Sequence, residues 1–121
     1  MRTLLVLAML ILVPSLGCES ARSEKVQPPP KGSAEKGARV FEEDCSICHY
    51  ADRADNKLGP GMKGLFKNQL LPVSHKPATE ENVRAQITKG NLQGKPMPMP
   101  AFGDQLNSQQ MDDLVAYLKT L

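Results

Sequence analysis

Cys45-Ser46-Ile47-Cys48-His49 is the stretch on which the reading of this chain turns. It has the form C-x-x-C-H, the attachment motif of c-type haem. The spacing has a chemical reason. In a helical turn, positions i, i+3 and i+4 share a face, and Cys45, Cys48 and His49 occupy those offsets. Two thiols can then reach the two vinyl groups of one porphyrin edge while the imidazole reaches the iron. The outcome would be one haem held by thioethers at Cys45 and Cys48, with His49 as the proximal ligand.

Other uses of the same residues fit less well. A structural zinc site takes four ligands, whereas the chain has 3 Cys and 2 His in all. A thioredoxin-type C-x-x-C belongs near a strand–helix–strand pattern, and none surrounds Cys45.

The N-terminus speaks to location. Met1-Arg2-Thr3 is a short basic start, and Leu4 to Val13 is an unbroken apolar run. That is the layout of a secretory signal peptide over residues 1–17. The run is too short for a span, which takes about 20 apolar residues. Cys18 follows Gly17 directly and resembles the acylated cysteine of a bacterial lipoprotein. The pattern departs at Ser15, where Leu is usual, and at Leu16, where a small residue is usual. Ser15-x-Gly17 also satisfies ordinary signal cleavage, so lipidation at Cys18, simple cleavage and an uncleaved anchor all stand.

Residues 18–32 read as a lipidated cysteine and a flexible linker containing Pro28-Pro29-Pro30. As a coil, Glu19 to Gly32 spans roughly 20 Å, and fully extended as polyproline II about 43 Å. A lipid at Cys18 would therefore keep a mobile domain close to a membrane. Cleavage before Cys18 removes Arg2, leaving 14 of the 15 basic residues against 13 acidic ones. Such a balance has no basic stripe for nucleic acid.

The folded domain spans 33–121. It is poor in large side chains, with Phe41, Phe66, Phe102, Tyr50, Tyr117 and no Trp. A core this lean calls for a staple, and a buried haem supplies one. Ser33 can cap a helix running to about Asp44, with Gly37, Val40 and Phe41 along one side. Thr79 can cap a second over Glu80 to Lys89, with Gly90 as its stop. Asn107 and Gln110 suggest a capping box opening a third. Met111, Leu114, Val115, Leu118 and Leu121 then form its apolar face. Ala51 to Pro77 reads as mostly loop. No segment alternates with a period of two, so the expected class is all-α, with three to five helices around one haem.

At this point the chain resembles the class I cytochromes c over the whole of 33–121. Gly37-x-x-x-Phe41 matches the family's N-terminal helix, whose glycine lets the last helix cross closely, and Tyr117 matches the aromatic opposite. Leu58-Gly59-Pro60 matches the turn whose proline carbonyl accepts the proximal imidazole N–H. Gly64-Leu65-Phe66 resembles the segment after it. Met99-Pro100-Ala101-Phe102 resembles the M-P-x-F stretch that carries the sixth ligand, with Phe102 packing on the haem. Leu106 to Leu121 is similar to the last helix. The resemblance implies export, because thioether attachment in such systems takes place outside the bacterial cytoplasm.

Met99 is favoured as distal ligand, with Met97 the runner-up, because only Met99 is followed by x-Phe. Met62 and Met111 read as packing. His75, alone in a polar Pro-bounded loop, reads as solvated. The lysines at 57, 63, 67, 76 and 95 could either greet an acidic partner or simply solubilise the chain. His/Met ligation suits electron transfer, because the thioether raises the potential and both axial sites are filled. The expected protein carries single electrons between redox partners through transient interfaces. It would do so on the periplasmic side of a bacterial membrane or in the soluble periplasm, without substrate chemistry of its own. Two alternatives remain: a subunit of a respiratory or sulfur-oxidising complex, and a haem sensor or gas-binding module with an open sixth site.

Overall fold

A computed structural model of the protein describes residues 31–121. The expectations for the signal segment 1–17, for Cys18 and for nearly all of the linker lie outside the described residues. Among the described residues there are three α-helices and no strand, only two isolated bridges. Helix α1 is Ala34–Val40, α2 is Glu80–Lys89 and α3 is Ser108–Leu118.

Each helix starts where its capping residue places it. The Ser33 hydroxyl accepts from the Lys36 amide, and the Thr79 hydroxyl accepts from the Asn82 amide. Asn107 and Gln110 form the reciprocal pair: the Gln110 amide donates to Asn107 Oδ1 at 2.9 Å and the Asn107 amide donates to Gln110 Oε1 at 3.0 Å. Such caps contribute on the order of 1 kcal/mol each. Helix α2 stops at Gly90, whose φ of 70° is one that glycine adopts without a Cβ clash.

Helix α1 does not continue regularly to Asp44. From Phe41 to Cys45 the backbone winds more widely, and the Ser46 amide donates to the Phe41 carbonyl at 2.8 Å, five residues back. Such π-type turns are rare and recur at functional sites. This one delivers the chain into Cys45-Ser46-Ile47-Cys48-His49.

Helices α1 and α3 cross in close contact. A Cβ on Gly37 would overlap the Asp113 backbone carbonyl. The Phe41 and Tyr117 rings meet with centroids 5.6 Å apart at 59°, a tilted pair of the favourable kind. Asp113 ties the crossing further: its buried carboxylate accepts from the Ser33 amide at 2.7 Å and from Gln109 Nε2 at 3.0 Å. That hydrogen bond from the Ser33 backbone, helped by Gln109, holds the Asp113 carboxyl below the ordinary carboxylate range.

The core collects the predicted faces. Val40 and Phe41 from α1, Val83 and Ile87 from α2, and Met111, Leu114, Val115 and Leu118 from α3 are all buried. Leu65 and Leu71, from the long connection between α1 and α2, and Leu106, just before α3, complete it. Arg84 of α2 pairs with Glu80 at 2.8 Å and with Asp112 of α3 at 2.6 Å. These pairs are partly exposed and contribute at most about 1 kcal/mol each, but they set α2 against α3. No helix of the described residues is long and apolar enough to cross a membrane.

Candidate functional site

The turn after Cys45 is built as the spacing requires. The Cys48 and His49 amides donate to the Cys45 carbonyl at 3.0 and 2.9 Å, which brings both cysteines and the histidine onto one side. The Gly59 amide donates back to the Cys48 carbonyl at 2.8 Å. This pins the Leu58-Gly59-Pro60 turn against the motif. His49 Nδ1 lies 2.7 Å from the Pro60 carbonyl oxygen. A carbonyl can only accept, so Nδ1 carries a proton, and in the neutral ring Nε2 is the nitrogen with the lone pair. Gly59 packs closely against the same ring: a Cβ there would sit 2.5 Å from His49 Cε1 and 2.9 Å from Nδ1. The imidazole is thus held on two sides, in the tautomer that ligates through Nε2.

A cleft opens in front of this imidazole. Its inner part is walled by Phe41, Cys45, His49, Met62, Leu65 and Met99. Its outer part is walled by Cys45, Cys48, His49, Met97, Met99 and Phe102. Cys45, His49, Pro60, Val73 and Met99 belong to both, so the two parts form one cleft. Its lining is mostly apolar, as befits a ligand site. Burial, with smaller contributions from Asp44 and Cys48, pushes the Cys45 thiol up to about 12. No disulfide joins Cys45 to Cys48.

The opposite side is framed from α2 onward. Gly90 brings the chain out of α2 so that Asn91 bridges Met99. The Asn91 amide donates to the Met99 carbonyl at 2.9 Å, and the Met99 amide donates to the Asn91 carbonyl at 3.0 Å. A Cβ at Gly90 would lie 2.5 Å from that same Met99 carbonyl. The Phe102 amide donates to the Ile87 carbonyl at 2.9 Å, which anchors the end of the Met99-Pro100-Ala101-Phe102 segment. Met99 is half-buried and lines both parts of the cleft, whereas Met97 lines the outer part alone and is 54 % exposed. Met62 lies in the inner wall and Met111 in the core. His75 is exposed and lines neither part.

The residues suit a haem. Two thiols, an imidazole with a free Nε2 and a thioether surround one apolar cleft, which is the donor set of a covalent haem with two axial ligands. Sequence reasoning missed part of its wall. Leu71, Pro72 and Val73 close the inner part from what was expected to be a plain loop, and Gln86 of α2 reaches both parts. The short apolar run Leu70-Leu71-Pro72-Val73 was the available signal. The five lysines at 57, 63, 67, 76 and 95 are all exposed, and of these Lys95 lines the cleft.

An all-α domain that closes two cysteines, a histidine and a methionine around one apolar cleft defines the class of covalent haem proteins. The Cytochrome c family profile matches residues 34–121, and the chain belongs to the cytochrome c family. It is similar to a cytochrome c-553-like protein of Synechocystis, with 32 % identity covering 75 % of this chain and 71 % of the relative. It is similar also to cytochrome c6 of Gloeothece citriformis, with 29 % identity covering 77 % and 76 %. Among solved structures it resembles cytochrome c6 of the diatom Phaeodactylum tricornutum, with a TM-score of 0.52 and 26 % identity over 74 % of this chain and 93 % of that one. The protein carries one covalently attached haem c and is a monohaem electron carrier.

Proposed function

We propose that this protein shuttles single electrons between redox partners outside the cytoplasm, with iron held between His49 and Met99 and thioethers at Cys45 and Cys48. The observation that carries the reading is that His49 and Met99 line one cleft, each on a backbone pinned by its own hydrogen bonds. The haem supplies the one-electron couple. His49 contributes an imidazole whose orientation is kept by the Pro60 carbonyl and the close contact of Gly59. Met99 contributes a soft donor that favours the reduced state. Pro98 and Pro100 restrict the backbone on either side of it, so little ordering is needed to present a weak ligand. Phe41, Leu65, Leu71 and Leu114 keep water from the inner cleft. With His49 and Met99 both holding the iron, no iron site would be left for a substrate, and the protein would act by accepting and releasing electrons.

We place the domain on the periplasmic side of a bacterial membrane, tethered through a lipid on Cys18 and the linker to Gly32. The apolar run before Cys18 supports export, and the Pro-rich linker supports a mobile domain. Partners would be met through small transient interfaces.

A redox titration of the purified protein with simultaneous optical spectra tests the reading. Low-spin spectra in both oxidation states and one reversible one-electron wave are expected. A high-spin five-coordinate spectrum would instead support a sensor or gas-binding module. Stable copurification with larger polypeptides would support a subunit of a respiratory or sulfur-oxidising complex. Haem attachment is checked by denaturing electrophoresis: staining that survives Cys45→Ala combined with Cys48→Ala refutes the thioether assignment.

A further inference from the structure

A polar recess opens beside the apolar cleft. Ser74, Lys76, Asn82, Gln86, Lys89 and Asn91 line it, and no acidic residue does. Gln86 and Asn91 also belong to the cleft wall, so the recess and the cleft adjoin. Each of the six can donate a hydrogen bond. Within this recess the Ser74 hydroxyl stands apart. It is buried and, among the described residues, it is the one buried side-chain polar atom without a hydrogen-bond partner. An unmade hydrogen bond at a buried hydroxyl is costly, so the recess suits a group that can accept one from Ser74. Ser74 follows Val73, which lines both parts of the cleft.

The cofactor has a matching acceptor. Thioethers at Cys45 and Cys48 hold the vinyl edge of the haem, and the two propionate carboxylates leave the macrocycle at its opposite edge. Neither cysteine touches the recess. A carboxylate is the acceptor that a set of donors without acids is suited to receive, and charge-assisted bonds of this kind are the stronger ones.

We propose that Ser74 is a positioning residue for the cofactor, its hydroxyl donating to one haem propionate in a recess whose cationic rim is Lys76 and Lys89. The proposal rests on haem attachment at Cys45 and Cys48. The charged groups facing the recess are Lys76 of the loop and Lys89 of α2, both exposed. His75, next in the chain, is exposed and does not line it. A donor bonded to the ionised propionate lowers that carboxyl's pKa. Through it, Ser74 sets the pH at which the reduction potential responds to propionate protonation.

The test uses the haem-loaded full chain as wild type, Ser74→Ala and Ser74→Thr. Two readouts are taken: the propionate bending band in the resonance Raman spectrum, and the reduction potential as a function of pH. The band is expected to shift in Ser74→Ala and to return toward wild type in Ser74→Thr. The inflection of the potential profile is expected to move up by about one pH unit in Ser74→Ala. If Ser74→Ala does not accumulate, Lys76→Gln with Lys89→Gln, both on the surface, should move the inflection in the same direction by less. A haem-loaded protein in which the band and inflection ignore all of these changes overturns the proposal. So does a Ser74→Ala protein with unmoved band and raised thermal stability, the signature of a hydroxyl that is simply unsatisfied. Inorganic phosphate binding to the wild type in a Ser74-dependent way, with the propionate band unmoved, would assign the recess to a free anion and equally overturn it. Wild-type protein without covalent haem would contradict the attachment itself, a result read from haem staining alone.

Discussion

His49 Nδ1 donates to the carbonyl oxygen of Pro60 at 2.7 Å, and Gly59, the residue before that proline, abuts the imidazole. Orientation of the proximal ligand therefore depends on the absence of one methyl group. A Cβ at Gly59 would sit 2.5 Å from His49 Cε1, so Gly59→Ala must push the ring or the turn. The expected cost is about 1–3 kcal/mol of stability, as for other overpacked sites. Weakened imidazole ligation should also appear as a changed ferric optical spectrum. Urea unfolding of the haem-loaded protein and its spectrum check both. A variant with wild-type stability and spectrum would mean that the turn yields freely and does not orient His49.

The acid limb of stability should report the crossing of α1 and α3. The Asp113 carboxyl is held low by the Ser33 amide, so its folded value lies below its unfolded one. A group of that kind stabilises above the unfolded value, near pH 4, and loses that contribution as pH falls through the folded value. Asp113→Asn should be less stable than wild type at neutral pH, with the gap narrowing as the pH is taken below about 4. Thermal unfolding at a series of pH values measures this. A gap that is constant with pH would show that the charge on Asp113 plays no part.

Much of this architecture could be read directly from residue patterns. The caps at Ser33, Thr79 and Asn107 are local hydrogen-bond chemistry, and the face of α3 is a periodicity, so both survive without knowledge of the rest. Where tertiary contacts decide, the reading fell short. The widened turn at Phe41–Cys45 has no sequence signature. The burial of Asp113 depends on the Ser33 backbone arriving from eighty residues away in the chain, which no local pattern announces. The wall formed by Leu71 and Val73 could not be assigned from a loop without periodicity. Ser74 was indistinguishable from any loop serine until its hydroxyl was found buried and unpartnered.

Cys18 gives a test of location independent of the haem. Wild-type protein expressed in a bacterial host should partition with membranes, and Cys18→Ser should release any exported protein to the soluble periplasm. One acyl chain gives only marginal binding, so durable anchoring implies more than one. Mass spectrometry of the mature N-terminus reads the modification directly. Wild-type protein found wholly in the soluble fraction, with no mass increment on Cys18, would leave an ordinary signal peptide.

The distal ligand gives the most direct test of the site. Met99 lines both parts of the cleft and is fixed by its paired hydrogen bonds with Asn91, whereas Met97 is more exposed and lines the outer part alone. A thioether binds ferric iron weakly, so the pinned backbone matters most in the oxidised protein. Met99→Ala should abolish the near-infrared sulfur-to-iron charge-transfer band of the ferric state. It should also lower the potential by on the order of 0.1 V, a fraction of the about 0.8 V over which axial ligands tune haem. Met97→Ala should leave the band in place. The two methionines stand two residues apart, so one could replace the other, and the double variant controls for that exchange. Loss of the band in Met97→Ala with retention in Met99→Ala would move the ligand by two residues. Retention in the double variant would place it elsewhere, with Met62 of the inner wall next in line.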